Sequence, residues 1–156
     1  MGELTLTWEI KPFNKLSLEE LYRILQLRQE VFILEQACVY NDLDHKDQKS
    51  NHLMAWSGDA LAAYTRLIPE GVSYPDALSI GRVVVAVEFR GKGVGEALMI
   101  RSIEAVKSLF GSRPIKISAQ QHLKAFYRRL GFQQTSQPYL DAGIMHIEMR
   151  MEPQHS

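Results

Sequence analysis

The chain has a single cysteine, Cys38, and equal numbers of basic and acidic side chains, 18 Lys plus Arg against 18 Asp plus Glu. One cysteine excludes an intrachain disulfide and fits a reducing compartment, so we expect a cytoplasmic protein. A formal net charge of zero gives no general attraction to nucleic acid or to an anionic membrane, and neither is expected as a partner. No apolar run approaches the length that spans a bilayer, and the first residues lack the pattern of a signal peptide.

Metal-site patterns and covalent-catalysis patterns are also missing. No two histidines have the H-E-x-x-H spacing, and Asp42 and Asp44 do not open a calcium loop, because Asp47 stands where that loop needs glycine. We therefore expect no metal. No nucleophile elbow and no reactive-cysteine signature occur. The composition, 46% hydrophobic and 23% charged, is ordinary for one globular domain over residues 1–156.

One pattern that is present is a β-branched strand followed by closely spaced glycines. Ile80-Gly81-Arg82-Val83-Val84-Val85-Ala86-Val87 predicts a buried strand, and Gly91, Gly93 and Gly95 predict a tight turn from which a helix begins. The backbone N–H groups of such a turn attract anions. Gly93 stands where a nucleotide-triphosphate loop needs Ser or Thr, and Glu96 where a dinucleotide loop needs glycine. A different phosphate or pyrophosphate site and a plain strand–turn–helix are the two interpretations left.

Two motifs resemble those of the GNAT superfamily of N-acetyltransferases. Arg90-x-x-Gly93-x-Gly95 is similar to its R/Q-x-x-G-x-G/A loop, which in the family holds the pyrophosphate of acetyl-coenzyme A. The segment 120–132 resembles the second motif, a helix that ends in Tyr127-x-x-x-Gly131-Phe132. The family usually carries Asn at the position of Gln120.

Four further segments resemble the ElaA-type branch of this superfamily, and with the two motifs they cover nearly the whole chain in one order. They are Arg28-x-x-Val31-Phe32-x-x-Glu35-Gln36, Tyr40-x-Asp42-x-Asp44, Gly81-Arg82-Val83-x-Val85 and Gly143-Ile144-x-His146-Ile147. The resemblance implies a single-domain α/β fold with a mixed, mostly antiparallel sheet of about six to seven strands flanked by helices. It also implies that two central parallel strands splay apart.

The spacing of apolar residues and the turn and capping residues predict the remaining helices and strands. Residues 4–11 alternate as a strand that ends at Pro12, and Ser17-x-x-Glu20 is a capping box that opens a helix to about residue 35. Leu18, Leu21, Leu25, Val31 and Phe32 are expected on the buried face of that helix. The other predicted elements are a hairpin over 52–69, a strand over 77–87, a helix over 93–110, a strand over 115–119 and a strand–turn–strand tail over 132–151.

The resemblance implies acetyl-CoA as cosubstrate. Its pantetheine arm would pair with the main chain of Val83 and Val85, and a backbone N–H near Val84 would stabilise the oxyanion. The residues expected to contact the cofactor are Val83, Val84, Val85, Arg90, Gly91, Lys92, Gly93, Val94, Gly95, Glu96, Gln120, Phe126, Tyr127 and Arg129.

The implied reaction is direct acetyl transfer to a primary amine, either of a small molecule or of a peptide terminus. Tyr127 is the candidate general acid for the departing thiolate, the alternative being an aromatic side chain packed on the cofactor arm. The base is not readable from the sequence, and our candidates for it are His146 and Glu35. The other conceivable bases are Asp44, His52 and His122.

The acceptor side is less defined. Asp42 and Asp44 offer carboxylates that would hold an amine, and the other expected acceptor contacts are Arg28 and Arg82. Two further functions stay open: transfer from a different acyl thioester, because the loop does not read the acyl group, and a non-catalytic module that binds coenzyme A as a regulatory ligand. An exposed sheet edge would allow a homodimer.

Overall fold

A computed structural model describes residues 4–153. The expectation that no signal peptide is present rests in part on the first three residues, which lie outside the described range. Within this range the strands are β1 (Thr7–Pro12), β2 (Asn51–Ser57), β3 (Ala60–Ile68), β4 (Leu78–Val85), β5 (Ile115–Gln120), β6 (Gln133–Gln134), β7 (Tyr139–Asp141) and β8 (Ile144–Met151). The α-helices are α1 (Leu18–Arg28), α2 (Val94–Phe110) and α3 (Lys124–Arg129). No helix of the described range is long and apolar enough to cross a membrane.

The strands form one sheet in the order β1-β2-β3-β4-β5-β8-β6, with β7 also paired to β8. All neighbours run antiparallel except β4 and β5, which are parallel. The predicted mixed α/β fold is thereby confirmed. The sheet has eight strands rather than six or seven, because the tail contributes β6, β7 and β8.

Helices cover both faces of the sheet. Side chains of β2 alternate between two buried clusters, so Leu53 packs with α2 on one face and Met54 packs with α1 on the other. Leu98 of α2 and Ile24 of α1 are fully buried. Burying each such side chain stabilises the fold by roughly 1.5–3 kcal/mol. β3 lies between both layers, and residues 61–68 are all buried.

Helix α1 begins at the predicted capping box. The Ser17 hydroxyl accepts a hydrogen bond from the Glu20 N–H at 3.0 Å, and the Glu20 carboxylate accepts one from the Ser17 N–H at 2.8 Å. The expected inward face was wrong at Leu18, which is the first residue of α1 and is 88% exposed. The prediction is confirmed at Val31, and the other buried residues of the stripe are Ile24, Leu27 and Arg28.

The helix does not stop at Arg28 but continues as a π-helical segment, Gln29–Glu35. The Gln36 N–H donates to the Val31 carbonyl at 3.1 Å, and the Cys38 N–H donates to the Ile33 carbonyl at 3.1 Å. Such wide turns are rare and often occur at functional sites. Here the wide turn carries the helix end up to the opening between β4 and β5.

Candidate active site

Strands β4 and β5 stay together for only two residue pairs. Leu78 pairs with Ile115 and Ser79 with Lys116, and no ladder pair joins the two strands beyond that point. Both strands continue, β4 to Val85 and β5 to Gln120, so they separate towards their carboxyl ends. The predicted splay of the central parallel strands is confirmed. It leaves one edge of the β4 main chain facing a groove instead of a neighbouring strand.

Strand β4 also contains a bulge inside this groove. Tyr64 of β3 pairs with Val84 and Arg66 pairs with Gly81, so Thr65 alone opposes both Arg82 and Val83. Arg82 has a φ of 49°, in the left-handed region that non-glycine residues rarely adopt. A bulge bends its strand and redirects the side chains and main-chain groups around it.

The glycine-rich turn leads from β4 into α2. Gly93 is the N-cap of the helix with a φ of 76°, and Gly91 has the same φ, which only glycine adopts without strain. The first N–H groups of a helix have no partner within it, and the bond from the Ala97 N–H to the Gly93 carbonyl is the first one here. A Cβ on either glycine would meet no heavy atom within 4 Å. The turn is thus a concave row of N–H donors with the chemistry of an anion site.

Arg90 stands at the edge of this turn and is tied to the end of the π-helical segment. Its Nη1 and Nη2 atoms lie 2.5 and 2.7 Å from the two carboxylate oxygens of Glu35, and its Nε donates to the Val85 carbonyl at 3.1 Å. The hydrogen bonds from Arg90 lower the pKa of Glu35. Our proposal of Glu35 as base does not fit this geometry, because the carboxylate is occupied by Arg90 and is made less basic.

The turn, the splayed strand and α3 together form one cleft, which we call the cofactor cleft. Most of the residues expected to contact the cofactor line it: Val83, Val84, Val85, Arg90, Gly91, Gly93, Val94, Gly95, Gln120, Phe126 and Tyr127. Lys92, Glu96 and Arg129 are exposed and do not line the cleft, so their contacts with the cofactor stay predictions. His122, one of the conceivable bases, lies in this cleft.

Helix α3 ends in a way that explains the Tyr-x-x-x-Gly-Phe signature. The Phe132 N–H donates to the Tyr127 carbonyl at 3.1 Å, and the Gly131 N–H donates to the Arg128 carbonyl at 3.0 Å. These are the paired bonds of a Schellman motif, in which Gly131 takes the left-handed position with a φ of 107°. The rings of Tyr127 and Phe132 meet edge to face, 6.1 Å apart. The signature therefore fixes the position of Tyr127.

The Tyr127 side chain is 6% exposed and lies against the cleft. The Phe126 ring packs edge to face against it, with 5.1 Å between ring centres. Burial raises the pKa of Tyr127 to about 12. The phenol is therefore protonated, and a donor, at any pH at which an enzyme works.

A second pocket, which we call the acceptor pocket, opens on the other side of Tyr127. The two pockets share Phe32, Gln36, Val83, Gln120, Leu123 and Tyr127. The Gln120 side chain donates to that of Gln36 at 3.4 Å, so a long hydrogen bond joins the end of β5 to the end of the π-helical segment. The boundary between the two pockets is therefore built from the π-helical segment, β4, β5 and α3 together.

His146 of β8 lines the acceptor pocket. Its Nδ1 lies 2.7 Å from the Ile144 carbonyl oxygen, which only accepts, so Nδ1 carries the hydrogen and Nε2 keeps its lone pair in the neutral ring. The ring also stacks on Tyr139, 6.1 Å away at 23°. Among the base candidates, His146 thus has a fixed orientation and a nitrogen free to accept a proton.

The residues expected to hold the acceptor are placed differently. Arg28 is 0% exposed: its Nε donates to Asp42 at 2.8 Å, and its Nη1 donates to Asp47 at 2.8 Å. Asp44 accepts two hydrogen bonds from Arg66, at 2.8 and 2.9 Å. We call these six residues the ion cluster: Arg28, Asp42, Asp44, Asp47, Arg66 and Arg82.

The ion cluster holds three positive and three negative side chains, so it is balanced by itself. Direct acceptor contacts by Arg28, Asp42 and Asp44 do not fit this arrangement, because the polar atoms of these residues bind one another. Only Arg82 of the four expected acceptor residues lines the acceptor pocket. The cluster instead fastens the irregular segment 38–50 to α1, β3 and β4.

Charge pairing dominates the ionisation of the cluster. Burial alone would raise the pKa of Asp44, but the hydrogen bonds and charge of Arg66 outweigh it and lower the pKa to about 2. The pKa of Asp47 is lowered in the same way by Arg28. Burial alone would lower the pKa of Arg28, but Tyr64, Asp47 and Asp42 outweigh it and raise that pKa. His52 is buried beneath the cluster, with Nδ1 2.6 Å from the Tyr64 hydroxyl and Nε2 2.9 Å from the Asp47 carbonyl. Both ring nitrogens are engaged, so His52 is a structural residue.

Sequence reasoning missed Asp47 and Arg66 of the cluster and three residues that line the acceptor pocket, Gln36, Ser118 and Asp141. No local pattern identifies Asp47, Arg66, Gln36 or Ser118, since each pairs with a side chain at least 19 residues away in the chain. Asp141 is the last residue of β7. Gln36 alone stood within a recognised segment. Within residues 4–153, no three His, Cys, Asp or Glu side chains gather as metal ligands.

A splayed parallel pair, a glycine-rich helix start and a buried tyrosine between two pockets define an acyltransferase fold of the GNAT type. The comparisons agree: the family model described as an acetyltransferase (GNAT) domain matches residues 15–153. The chain belongs to the GNAT acetyltransferase family.

Relatives similar over nearly their full length include proteins from yeast and bacteria. The UPF0039 protein C11D3.02c of Schizosaccharomyces pombe is 42% identical over 91% of this chain and 94% of its own. Protein ElaA of Escherichia coli is 36% identical over 93% of this chain and 95% of its own. The predicted resemblance to the ElaA-type branch is confirmed.

Solved structures give the same result. An acyl-CoA N-acyltransferase from Pseudomonas aeruginosa superposes with a TM-score of 0.90 at 43% identity, over 94% of this chain and 99% of that one. Escherichia coli ElaA superposes with a TM-score of 0.89 at 35% identity, over 95% of this chain and 100% of that one.

Proposed function

We propose that this chain transfers an acetyl group from acetyl-CoA to a primary amine by direct attack of the amine on the thioester. The observation that carries the proposal is the meeting of the two pockets at Val83, Gln120 and Tyr127. One pocket leads to the anion site of the glycine-rich turn, and the other to His146. A thioester in the first pocket and an amine in the second would meet beside Tyr127.

The donor side fits coenzyme A. The N–H groups of residues 91–95 would bind its pyrophosphate, and the uncovered main chain of Val83 and Val85 would pair with the amides of pantetheine. The redirected N–H groups near Val84 would stabilise the oxyanion. The Pseudomonas aeruginosa structure, named an acyl-CoA N-acyltransferase, supports this donor class. Acetyl as the acyl group remains our expectation from the family name.

The reaction forms one C–N bond and breaks one C–S bond. A neutral amine attacks the carbonyl carbon, the tetrahedral intermediate collapses, and coenzyme A leaves as a thiolate. An aliphatic ammonium has a pKa of about 10.4, so at neutral pH it must lose one proton before it attacks, and His146 Nε2 would take that proton, directly or through one water. The nitrogen loses its second proton to solvent as the tetrahedral intermediate collapses to the amide.

Tyr127 acts here as a hydrogen-bond donor to the leaving sulfur rather than as a full proton donor. Moving a proton from a phenol of pKa about 12 to a thiolate whose acid has a pKa of about 8.5 costs roughly 5 kcal/mol, at 1.36 kcal/mol for each pKa unit. A charge-assisted hydrogen bond stabilises the developing thiolate without that cost. The proton on the released thiol then comes from solvent.

An acyl-enzyme route is not supported by the surroundings of Cys38. Its thiol is 7% exposed, and its Sγ lies 3.4 Å from the Gln36 carbonyl oxygen, which leaves it as a donor rather than a nucleophile. The free thiol also fits the reducing, cytoplasmic setting that we propose for the chain.

A thiol-release assay tests the proposal. Acetyl-CoA is incubated with small mono- and diamines and with peptides carrying a free terminus or lysine, and each product is identified by mass spectrometry. Release that requires an amine, with one acetyl group on the product nitrogen, supports the function. If thiol is released only from longer or branched acyl-CoA, the donor is one of those thioesters and not acetyl-CoA. Tight CoA binding with no release for any thioester and amine would assign a regulatory module instead.

A further inference from the structure

The bulge in β4 is formed by an arginine where glycine would be the unstrained choice. The φ of Arg82 is 49°, a region that disfavours non-glycine residues by a factor of roughly 5–30. Strained backbone of this kind persists only when the surrounding structure holds it in place. The bulge faces Thr65 and lies between the last β4–β5 pair and the main chain expected to receive the thioester.

The contacts of the Arg82 side chain show what holds its backbone in the strained conformation. Its Nη2 donates to the Asp42 carbonyl at 2.8 Å and lies 3.4 Å from an Asp44 carboxylate oxygen. Its Nε lies 2.7 Å from Asp42 Oδ1, an ion pair without the alignment of a hydrogen bond. The guanidinium also sits over the Tyr40 ring, 5.8 Å from its centre.

The two aspartates are themselves anchored. Asp42 is held by Arg28, through its carboxylate at 2.8 Å and its carbonyl at 3.0 Å, and Asp44 is held by the fork of Arg66. Arg28 is wholly buried and Arg66 is 3% exposed, so the anchor points are fixed by packing as well as by charge. The strained residue is thus attached to a rigid framework.

We propose that Arg82 is a positioning residue: its contacts with Asp42 and Asp44 hold the β4 bulge, and so aim the main chain of residues 83–85 at the thioester. The inference rests on the proposed function and gives the ion cluster a role in it. It differs from direct binding of the acceptor by Arg82. If Arg82 only touched the acceptor, its backbone conformation would not matter for turnover.

Two substitutions separate these roles. Arg82→Gly and Arg82→Ala both remove the guanidinium, but only alanine also disfavours the positive φ. If Arg82 is a positioning residue, kcat with acetyl-CoA should fall at least about five-fold further in Arg82→Ala than in Arg82→Gly. This factor matches the preference of a positive φ for glycine over other residues. Equal losses in the two variants would overturn the proposal in favour of direct acceptor contact.

A matched change controls for backbone strain alone. Gly58 of the β2–β3 turn has a φ of 59°, and a Cβ there would meet no heavy atom within 4 Å, so Gly58→Ala imposes the same contrast between glycine and alanine away from the ion cluster. We expect the kcat of Gly58→Ala to agree with that of the wild type within twofold, and thermal unfolding shows how far each of the three variants is destabilised. A loss of kcat in Gly58→Ala as large as the gap between the two Arg82 variants would contradict positioning.

Hydrogen exchange gives a readout that does not depend on activity. In the free protein, both Arg82 variants should exchange the amide of Val84, which pairs with Tyr64 of β3, at least about tenfold faster than the wild type, while the β2–β3 hairpin keeps its protection. Unchanged protection of the Val84 amide would overturn the proposal. If wild type shows no thiol release, the proposed function fails, yet this exchange result still decides whether Arg82 holds the bulge.

Discussion

Glu35 and Arg90 form a two-pronged ion pair across the mouth of the cofactor cleft, with distances of 2.5 and 2.7 Å, although 55 residues separate them in the chain. The pair joins the end of the π-helical segment to the glycine-rich turn. Because its carboxylate is bound to Arg90, Glu35 is not available to accept a proton from the amine. Its role is instead to hold Arg90, the arginine nearest the expected phosphate position.

Glu35→Gln tests this reassignment. Because the carboxylate is already paired and its pKa is lowered, we expect kcat to change by less than about threefold, against the loss of roughly 10²–10⁴ expected for a base. Glu30→Gln, an exposed change in the same π-helical segment, is the control. A loss of kcat of a hundredfold or more with normal CoA binding would restore Glu35 as the base.

Tyr127→Phe removes the hydrogen bond to the leaving sulfur and keeps the ring packing. A hydrogen bond to a charged group is worth about 1.5–3 kcal/mol, so kcat should fall by roughly 10–150-fold while the Kd for CoA stays within threefold. Since burial raises the pKa of Tyr127 to about 12, the wild-type rate should show no decline from phenol ionisation up to about pH 10.

Tyr74→Phe is the matched control for that substitution, because Tyr74 is half-buried, has its pKa raised by burial to about 12, and lies outside both pockets. It should leave kcat unchanged. A loss of less than threefold in Tyr127→Phe would show that the phenol only packs against the cofactor arm.

His146→Asn tests the base. The asparagine amide can still donate to the Ile144 carbonyl, but it offers no basic nitrogen in place of Nε2. We expect kcat to fall by roughly 10²–10⁴. His45→Asn, on an exposed residue with a left-handed φ that asparagine tolerates, should have no effect. If the folded His146→Asn variant keeps full activity, His146 is not the base, and water must accept the proton from the amine.

Acid should weaken the attachment of segment 38–50. The pKa of Asp44 is lower in the folded chain, about 2, than its ordinary 3.8, so its stabilisation is complete well above pH 3.8 and is lost as pH falls through about 2. The difference corresponds to about 2 kcal/mol at 1.36 kcal/mol for each pKa unit. Asp44→Asn should be less stable than wild type at pH 7 and should lose less further stability between about pH 4 and pH 2. Equal pH dependence in denaturant unfolding of the two proteins would contradict this.

Much of the fold could be predicted from short-range sequence signals. The capping box at Ser17, the Gly58-Asp59 turn and the glycine-rich start of α2 depend on residues close in sequence, and each element occurs where it was predicted. The position of Tyr127 follows from the Schellman motif at Gly131 for the same reason.

The ion cluster and the bulge could not be predicted in this way. Arg28 and Asp47 are 19 residues apart and Arg66 and Asp44 are 22 apart, so their pairing exists only after the sheet and segment 38–50 have packed. The bulge carries no local signal, because arginine rather than glycine occupies its strained position. Arg28 was therefore expected at the acceptor although it supports the pocket from within.

Calorimetry of CoA binding tests the central claim, that the glycine-rich turn binds the donor. Gly93→Glu places a carboxylate at the start of α2, and Gly71→Glu adds the same charge and the same backbone strain, at a φ of 93° against 76°, with no heavy atom within 4 Å of either Cβ. We expect wild type and Gly71→Glu to bind CoA within threefold of each other and Gly93→Glu to bind at least about 30-fold more weakly, since it repels the phosphates and displaces them from the N–H donors. Equal affinity in all three proteins, or no binding by wild type, would contradict the assignment of this turn as the donor site.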